Sequence, residues 1–572
     1  VTAIMIRYIV LLAIATATTA ALMVALAPAG SGLVFSGFAL IANLALFVLV
    51  AAVDHYLLPR LRMLRRRAAG ADAVPNVLGG ERRAPRAIVV GAGEAGRTIV
   101  VEYRKRGRDR EVVGFVDDDP AKFGATVEGR RVLGSVDRLP ELIVSHNVDE
   151  VIVAIPSAAG ARIYRIITAV KAAHPGVMIR ILPSVMRAFD TPLVPELREI
   201  DMADLIDRDE IVVDTGRIRE RFGGATVLVT GAGGSIGSEL CRQMLRFSIT
   251  RLVAIGHGEN SIYELAKNLR DHLAALPDPP AVEYRIVDIK DYALLERVFA
   301  EHRPDVVFHA AAHKHVPLME FNEAEAVQNN VGGSYALLRL ARKYRAGRFV
   351  MVSTDKAVNP TSVMGATKRI TELLTLSFHR RYGLTTAIVR FGNVIGSRGS
   401  IIPLFREQIA RGGPVTVTHP DVERYFMSIP EASILVINAA AYAAGGEIFV
   451  LDMGRQHRIL EVAQRLIRLC GREPGRDIAI TFTGLRPGEK LSEELHYARE
   501  DLSRTANDKI FLLNQRRQGA DLPALDRFVT AGIKRLPSLT SAEIRREIKR
   551  IVPECRFTPE QSRKRASDRL VT

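Results

Sequence analysis

The sequence predicts an α/β protein with an N-terminal transmembrane helical hairpin followed by two doubly wound, mostly parallel-sheet domains. Three observations carry this. Two glycine turns, at 91–96 and 231–237, each follow a short apolar run and open a helical stretch. From Ala87 onward, β-branched apolar runs alternate with helical stretches, the pattern of strands buried on both faces of a parallel sheet. Two long uncharged runs open the chain.

At 572 residues the chain exceeds one ordinary core. Tyr8 to Ala27 carries no charge and is rich in Ile, Leu, Val and Ala, about the length that crosses a bilayer as a helix. Leu33 to Val53 is a second such run, and Ala27-Pro28-Ala29-Gly30-Ser31-Gly32 between them suits a turn. A cleaved signal peptide is the competing reading, but no polar mature start follows. The arginines of Pro59 to Arg67 place that flank in the cytoplasm by the positive-inside rule and suit anionic lipid headgroups. Residues 1–67 are thus expected to form the hairpin and a basic juxtamembrane segment, with 68–85 an Ala/Gly/Pro linker.

The net charge of +16 gathers in that segment, in Arg82 to Arg110 and in a tail ending Ser562-Arg563-Lys564-Arg565. Without aromatic-basic interleaving or a recognition motif it does not indicate nucleic acid. Cys241, Cys470 and Cys555 have no metal-ligand spacing, so no zinc site or disulfide framework is expected.

A first Rossmann-like domain is expected over 86–215. Ala87 to Val90 runs into Gly91-Ala92-Gly93-Glu94-Ala95-Gly96, and Val112 to Val116 ends in Asp117-Asp118-Asp119. It either binds or senses a nucleotide, or keeps its glycine turn for packing; no catalytic constellation lies in it. The second domain is expected over 220–510. Ala225 to Thr230 leads into Gly231-Ala232-Gly233-Gly234-Ser235-Ile236-Gly237, with Gly231, Gly234 and Gly237 at the spacing of short-chain dehydrogenase/reductase proteins. Such a turn rests phosphates on backbone N–H groups. Ser235, Ile236, Asp288, Ile289, Ala310 and Ala311 complete the expected cofactor contacts at strand ends. Gly256, followed by His257-Gly258-Glu259, stands where an acid would select NAD, so NAD and NADP both remain open. Residues 511–572 read as a basic tail, with an amphipathic helix over Ser541 to Ile551 that contacts membrane or a partner.

Five longer motifs carry the chemistry: Ala310 to Glu320, Ser353-Thr354-Asp355-Lys356-Ala357-Val358-Asn359-Pro360, Arg390 to Val394, Arg424 to Met427, and Gly484-Leu485-Arg486-Pro487-Gly488-Glu489-Lys490. In these the chain, from about Arg86 to about Leu495, resembles the long, membrane-anchored nucleotide-sugar 4,6-dehydratases of the bacterial polysaccharide-biosynthesis (CapD-like) family, within the extended short-chain dehydrogenase/reductase superfamily. The resemblance implies a lyase of the bacterial inner membrane with its globular parts in the cytoplasm, acting on a UDP-N-acetylhexosamine, UDP-N-acetylglucosamine foremost. Tightly bound NAD or NADP would take a hydride from C4, water would leave across C5 and C6, and the hydride would return to C6. The C4 ketone acidifies the C5 proton by delocalising the carbanion, so a modest base and an acid at the leaving hydroxyl suffice. Long family members look as though they have four spans where this chain shows two, and a shortened N-terminus is one reading of that difference. A homo-oligomer is expected.

By the same resemblance Asp355 is the acid for the C6 hydroxyl and Lys356 the base at C5, a role that requires a depressed lysine pKa. Lys368, opening a helix over Lys368 to Leu376, holds the ribose. Met364 stands where the wider superfamily has a tyrosine, so the base for C4 oxidation is Asp355, a water chain or Lys368, with Thr354 orienting the hydroxyl. Arg486 is expected on the diphosphate, helped by Asn393, His315, Glu489 and Arg424; the alternative for Arg424 is a surface pair with Glu423 or Glu431. His309, His313 and His315 are expected to orient sugar or cofactor, with no metal. The rival functions are a UDP-sugar 4-epimerase, which normally relies on the missing tyrosine, and a membrane-tethered nucleotide-binding scaffold.

Overall fold

The computed structural model describes residues 84–105, 111–155, 158, 160–174, 176–182, 198–199, 202, 211–498, 500–514 and 522–557. The chain divides into two units, 1–83 and 84–572. The expected hairpin, its basic flank and most of the linker lie outside the described residues. Among those described, no helix is long and apolar enough to cross a membrane.

The first sheet is built from β1 (Arg86–Val90), β2 (Glu111–Val116), β3 (Glu150–Val153), β4 (Met178–Ile181) and β5 (Arg198–Glu199), in the order β2-β1-β3-β4-β5, with only β5 antiparallel. The helices α1 (Glu94–Lys105) and α2 (Gly160–Ala173) belong to this layer. Ile88, Val90 and the α2 residues Ile163, Ile166 and Val170 share one buried cluster with Phe405 and Leu466 from further along the chain.

The second sheet has nine strands: β6 (Thr226–Thr230), β7 (Arg251–Gly256), β8 (Ala281–Ile286), β9 (Val306–His309), β10 (Arg348–Val352), β11 (Thr386–Arg390), β12 (Glu447–Leu451), β13 (Asp501–Arg504) and β14 (Ile510–Asn514). Their order is β8-β7-β6-β9-β10-β11-β12-β14-β13, parallel as far as β12 and antiparallel beyond it. Successive side chains alternate between faces. Leu228, Val253 and Val307 enter one cluster, while Val227, Val229 and Phe308 enter another. Each fully buried residue of this kind stabilises the fold by roughly 1.5–3 kcal/mol. Strand order reverses between β6 and β9, so a crevice opens beyond their carboxyl ends, where such sheets receive ligands.

Among the helices of this unit, α3 (Ser235–Met244), α4 (Val363–Tyr382) and α7 (Ser541–Ile551) pack into the cores of the nine-stranded sheet, while α5 (Ile401–Ala410) and α6 (Ile459–Leu469) share the buried cluster of the first sheet. α4 begins earlier than Lys368, because the Ser362 hydroxyl accepts the Gly365 N–H at 3.0 Å and caps the helix there.

The expected tail over 511–572 is corrected over its described part. β14 continues the sheet to Asn514, and α7 buries Ile544 and Ile548 in the main core. Its Arg545 is also buried, donating to Glu320 Oε2 at 2.9 Å and to Glu323 Oε1 at 2.9 Å. Glu320 in turn accepts the Val363 N–H at 2.7 Å. A charge on the helix expected to contact membrane or a partner therefore pins the start of α4 instead.

Candidate active site

The carboxyl ends of β6, β9, β10 and β11 lie side by side and carry most of the expected site residues. Gly231 follows β6 at φ +66, where a side chain is disfavoured. A Cβ there would stand 2.7 Å from the Ala311 nitrogen, and one on Gly237 would stand 2.1 Å from the Gly231 oxygen. The turn therefore lies directly on the Ala310–Ala311 backbone. Gly234 precedes α3 and no side chain caps that helix. The N–H groups of its first turn, at Ser235 and Ile236, are of the kind that holds a phosphate. These residues fit the pyrophosphate of a dinucleotide.

A loop from the far side of the crevice reaches this turn. Arg398 donates its backbone N–H to Ser235 Oγ at 3.1 Å and its guanidinium to the Gly233 carbonyl at 2.8 Å. Ser397 beside it accepts Lys314 Nζ at 3.4 Å. Gly399, at φ +67, lies against the His315 ring, which a Cβ would approach to 2.6 Å. Asp288 follows β8 and pairs with Lys290 at 3.6 Å; Lys290 also meets Glu325, whose Oε1 accepts from His313 Nε2 at 3.0 Å. Ile289 is buried against Gly333.

Past β10 the chain turns through Thr354, Asp355 and Lys356. Asp355 is wholly buried; its Oδ1 accepts the Thr354 hydroxyl at 2.7 Å and Lys356 Nζ at 3.0 Å, while Oδ2 has no hydrogen-bond partner. Lys356 Nζ also donates to Asn393 Oδ1 at 3.0 Å. Asn393 is held by the short parallel pair Asn393–Ile395 with Phe426–Ser428. Burial opposes the charge on Lys356, but Asp355 and Glu493 outweigh it, and the pKa stands above the ordinary lysine value with Arg424 opposing. This corrects the expectation of a depressed Lys356.

Lys314 is lowered, by burial and by the charge of Lys356, and so is Lys368. Burial pushes Lys368 down to about 8 against the pull of Glu372, and its Nζ donates to the Val352 carbonyl at 2.6 Å. Met364 sits buried in the first turn of α4. Neither offers the phenol-like group that the superfamily pattern would supply there.

Arg486 is held by Glu489, with Nε 3.0 Å and Nη2 2.6 Å from Oε1, and its side chain stays one-third exposed. Arg424 forms neither of the surface pairs considered for it. Its guanidinium donates to the carbonyls of Glu423, Leu491 and Lys490 at 2.7, 3.1 and 2.8 Å. His315 is lowered by partial burial and by Lys314 and Arg486. Lys314, Lys356, Arg424 and Arg486 make this edge cationic, which suits a diphosphate.

His309 is not a site residue, contrary to expectation. Its Nδ1 lies 2.8 Å from Thr230 Oγ1 and its Nε2 2.7 Å from Ser334 Oγ. Burial, with the charge of Lys368 adding to it, lowers its pKa to about 3, so the ring is a neutral fastening inside the core. Among the described residues no group of His, Cys, Asp and Glu is placed to hold a metal.

Three residues escaped sequence reasoning. Arg398 contacts a turn far from it in the chain, and Lys314 hides inside a histidine-rich motif. Glu493 stands three residues after Lys490 as one of two adjacent acids, a signal too common to single out.

In the first sheet, a Cβ on Gly96 would stand 2.1 Å from the Gly91 oxygen, so packing explains that glycine, while Gly93 faces open space. Asp117 turns back on the glycine turn, accepting the Ala92 N–H at 2.8 Å and Lys122 Nζ at 3.1 Å.

Comparison with known proteins gives this geometry its context. The polysaccharide biosynthesis protein family matches residues 227–515, and a CoA-binding domain family matches 1–183. The capsular polysaccharide biosynthesis protein CapD of Staphylococcus aureus is 44% identical over 432 residues, covering 74% of this chain and 70% of that one. The chain belongs to the polysaccharide biosynthesis protein family. The probable polysaccharide biosynthesis protein EpsC of Bacillus subtilis is 41% identical to this family member over 450 residues, 78% of this chain and 73% of its own. Among solved structures, Pen from Bacillus thuringiensis is 32% identical and superposes with a TM-score of 0.47 over 52% of this chain and 90% of that one.

Proposed function

We propose that this protein is a UDP-N-acetylhexosamine 4,6-dehydratase, with UDP-N-acetylglucosamine its foremost substrate, serving polysaccharide biosynthesis from the cytoplasmic face of a bacterial inner membrane. The observation that carries the reading is the Thr354-Asp355-Lys356 turn, which sets a buried acid and a lysine side by side at the sheet edge facing the glycine turn. An epimerase has no need of such a pair.

Gly231, Gly234, Ser235, Ile236, Gly237, Ala310, Ala311 and Lys368 would hold a nicotinamide dinucleotide, NAD or NADP, which would supply the hydride acceptor and donor for C4 and C6. Asp355 is sealed from the cleft, so the Thr354 hydroxyl bonded to its Oδ1 is the group that meets the sugar. Through it Asp355 takes the proton of the C4 hydroxyl and later supplies the proton that leaves with the C6 hydroxyl. On this reading Asp355, acting through Thr354, is the base for C4 oxidation. Lys356 removes the C5 proton and, after exchange with solvent, reprotonates C5. Arg486, His315 and Lys314 hold the diphosphate, and Asn393 and Arg424 fix Lys356 and the 490–493 segment around the sugar.

Span-deleted or detergent-solubilised protein incubated with UDP-N-acetylglucosamine in deuterated water should yield a 4-keto-6-deoxy sugar, with water lost and deuterium at C5. A sugar of unchanged mass inverted at C4 would make the protein an epimerase, and no reaction with any UDP-hexosamine would leave a nucleotide-binding scaffold.

Arg398→Ala tests the cofactor site apart from turnover. Because Arg398 is exposed and touches only the glycine turn, stability should change by no more than about 0.5 kcal/mol. The amount of NAD or NADP that copurifies, read by mass spectrometry of the denatured protein, should fall several-fold. Equal retention would remove the loop from the cofactor site.

A further inference from the structure

Glu493 is a carboxyl group for which the reaction above has no use. It is buried, at 4% exposure, and its Oε2 has no hydrogen-bond partner. The charged groups facing it are Lys356 Nζ, 3.9 Å from Oε1; Arg424 Nε, 4.0 Å from Oε1; and Lys490 Nζ, 3.8 Å from Oε2, itself shared with Glu494. Asp355 is the nearby carboxylate that acts against it. Three cations therefore surround Glu493 without one hydrogen bond to its carboxylate. A buried carboxylate in that state is readily protonated, because desolvation disfavours its charge and no donor compensates.

Lys356 presents the complementary difficulty. With Asp355 at 3.0 Å it rests as an ammonium ion, and an ammonium ion cannot remove a proton from carbon. Asp355 is not free to relieve it, since its Oδ1 already serves the Thr354 hydroxyl, through which it exchanges protons with the sugar.

We propose that Glu493 is the proton acceptor that turns Lys356 into a neutral amine before C5 is deprotonated. This rests on the dehydratase reading and deepens it. The proton moves from Nζ to Oε1: one N–H bond breaks, one O–H bond forms, and the ion pair becomes a neutral pair with no net change of charge. The freed lone pair of Lys356 takes the C5 proton, the C–H electrons pass into the enolate, and the C6 hydroxyl leaves as water with the proton held by Asp355. When the hydride returns to C6, the Lys356 ammonium gives its proton to C5. Glu493 then returns its own proton to the amine, so the cycle closes. Glu493 touches no reacting atom and is a positioning residue for the proton on Lys356.

The test is Glu493→Gln in the full-length enzyme, followed with UDP-N-acetylglucosamine in deuterated water across a pH series. Glutamine keeps the size of the side chain and cannot accept the proton. C5 deuteration and product formation should fall about 10²-fold or more at neutral pH, then climb as pH rises and Lys356 loses its proton to solvent. C4 oxidation, read from nicotinamide absorbance in a single turnover, should persist. Glu493→Asp should keep the wild-type pH profile at a reduced rate. Wild-type C5 exchange with an unshifted pH profile in the glutamine variant would overturn the proposal. So would loss of C4 oxidation in both variants, which would make Glu493 merely structural. Failure of the wild-type enzyme to form any 4-keto-6-deoxy product would instead remove the dehydratase reading beneath it.

Discussion

Lys356→Ala should lower 4-keto-6-deoxy sugar formation by about 10²–10⁴-fold, the range that one positioned acid–base group contributes. The loss should fall on a single step. C4 oxidation needs Thr354 and Asp355, which remain, so a single turnover should still reduce the cofactor and build up bound 4-keto sugar with its C5 hydrogen unexchanged. Mass spectrometry of the quenched sugar in deuterated water separates this from a general collapse. A variant that also fails to oxidise C4 would place Lys356 at the first step instead.

The same substitution has a stability component. It leaves the buried Asp355 with the Thr354 hydroxyl as its one remaining side-chain donor, and an uncompensated buried charge of this kind costs about 3–5 kcal/mol. The sign with pH follows from the direction of the lysine shift. The folded pKa of Lys356 lies above its unfolded value, so its contribution is fully present below the unfolded lysine value of ~10.4 and is lost as pH rises through the folded one. At neutral pH the whole contribution is at stake, and the rate comparison belongs well below the melting temperature of the variant.

The parts legible in the sequence were those governed by short-range pattern. β6, β9 and β10 are apolar runs ending at glycine or at polar motifs, because a strand covered on both faces leaves that trace, and Gly231 and Gly237 are glycine because backbone lies where a side chain would go. The motif from Ser353 to Lys356 could be placed at a strand end for the same reason. What stayed hidden depends on partners far away in the chain. Arg545 reads as one more surface charge until Glu320 and Glu323 are seen around it. His309 looks like part of a histidine cluster until Thr230 and Ser334 are found on its two nitrogens. Against burial, the Lys356 shift is set by Asp355 beside it and then by Glu493, which the chain brings in from more than a hundred positions away. The Ser362 cap is the exception: a serine just ahead of a helical stretch is a local start signal.

Arg390→Met should destabilise the fold by about 3–5 kcal/mol, because it strips the bidentate partner from a carboxylate that cannot reach water. Arg390 and Glu372 are both wholly buried, with Nε and Nη2 each 2.8 Å from a Glu372 oxygen. Arg369 adds a third contact at 3.0 Å and the Ser353 hydroxyl a fourth at 2.6 Å. Burial opposes the Glu372 charge, but these partners overcome it and hold the carboxyl down at about 2. A depressed acid contributes stability that is present above its unfolded pKa of ~4.3 and is lost as pH falls through the folded value. The variant should therefore melt lower at neutral pH and begin its acid unfolding at a higher pH than the parent, both readable by calorimetry. Removing both charges in Arg390→Met/Glu372→Met should recover much of the stability, since a buried pair is often replaceable by apolar groups of similar volume, and Arg369 keeps Glu554 at 3.4 Å. Activity should not recover with it. Ser353 would have lost the acceptor that anchors the residue next to Thr354 and Asp355, so a stable but slow double variant would show that this network positions the acid as well as supporting the core.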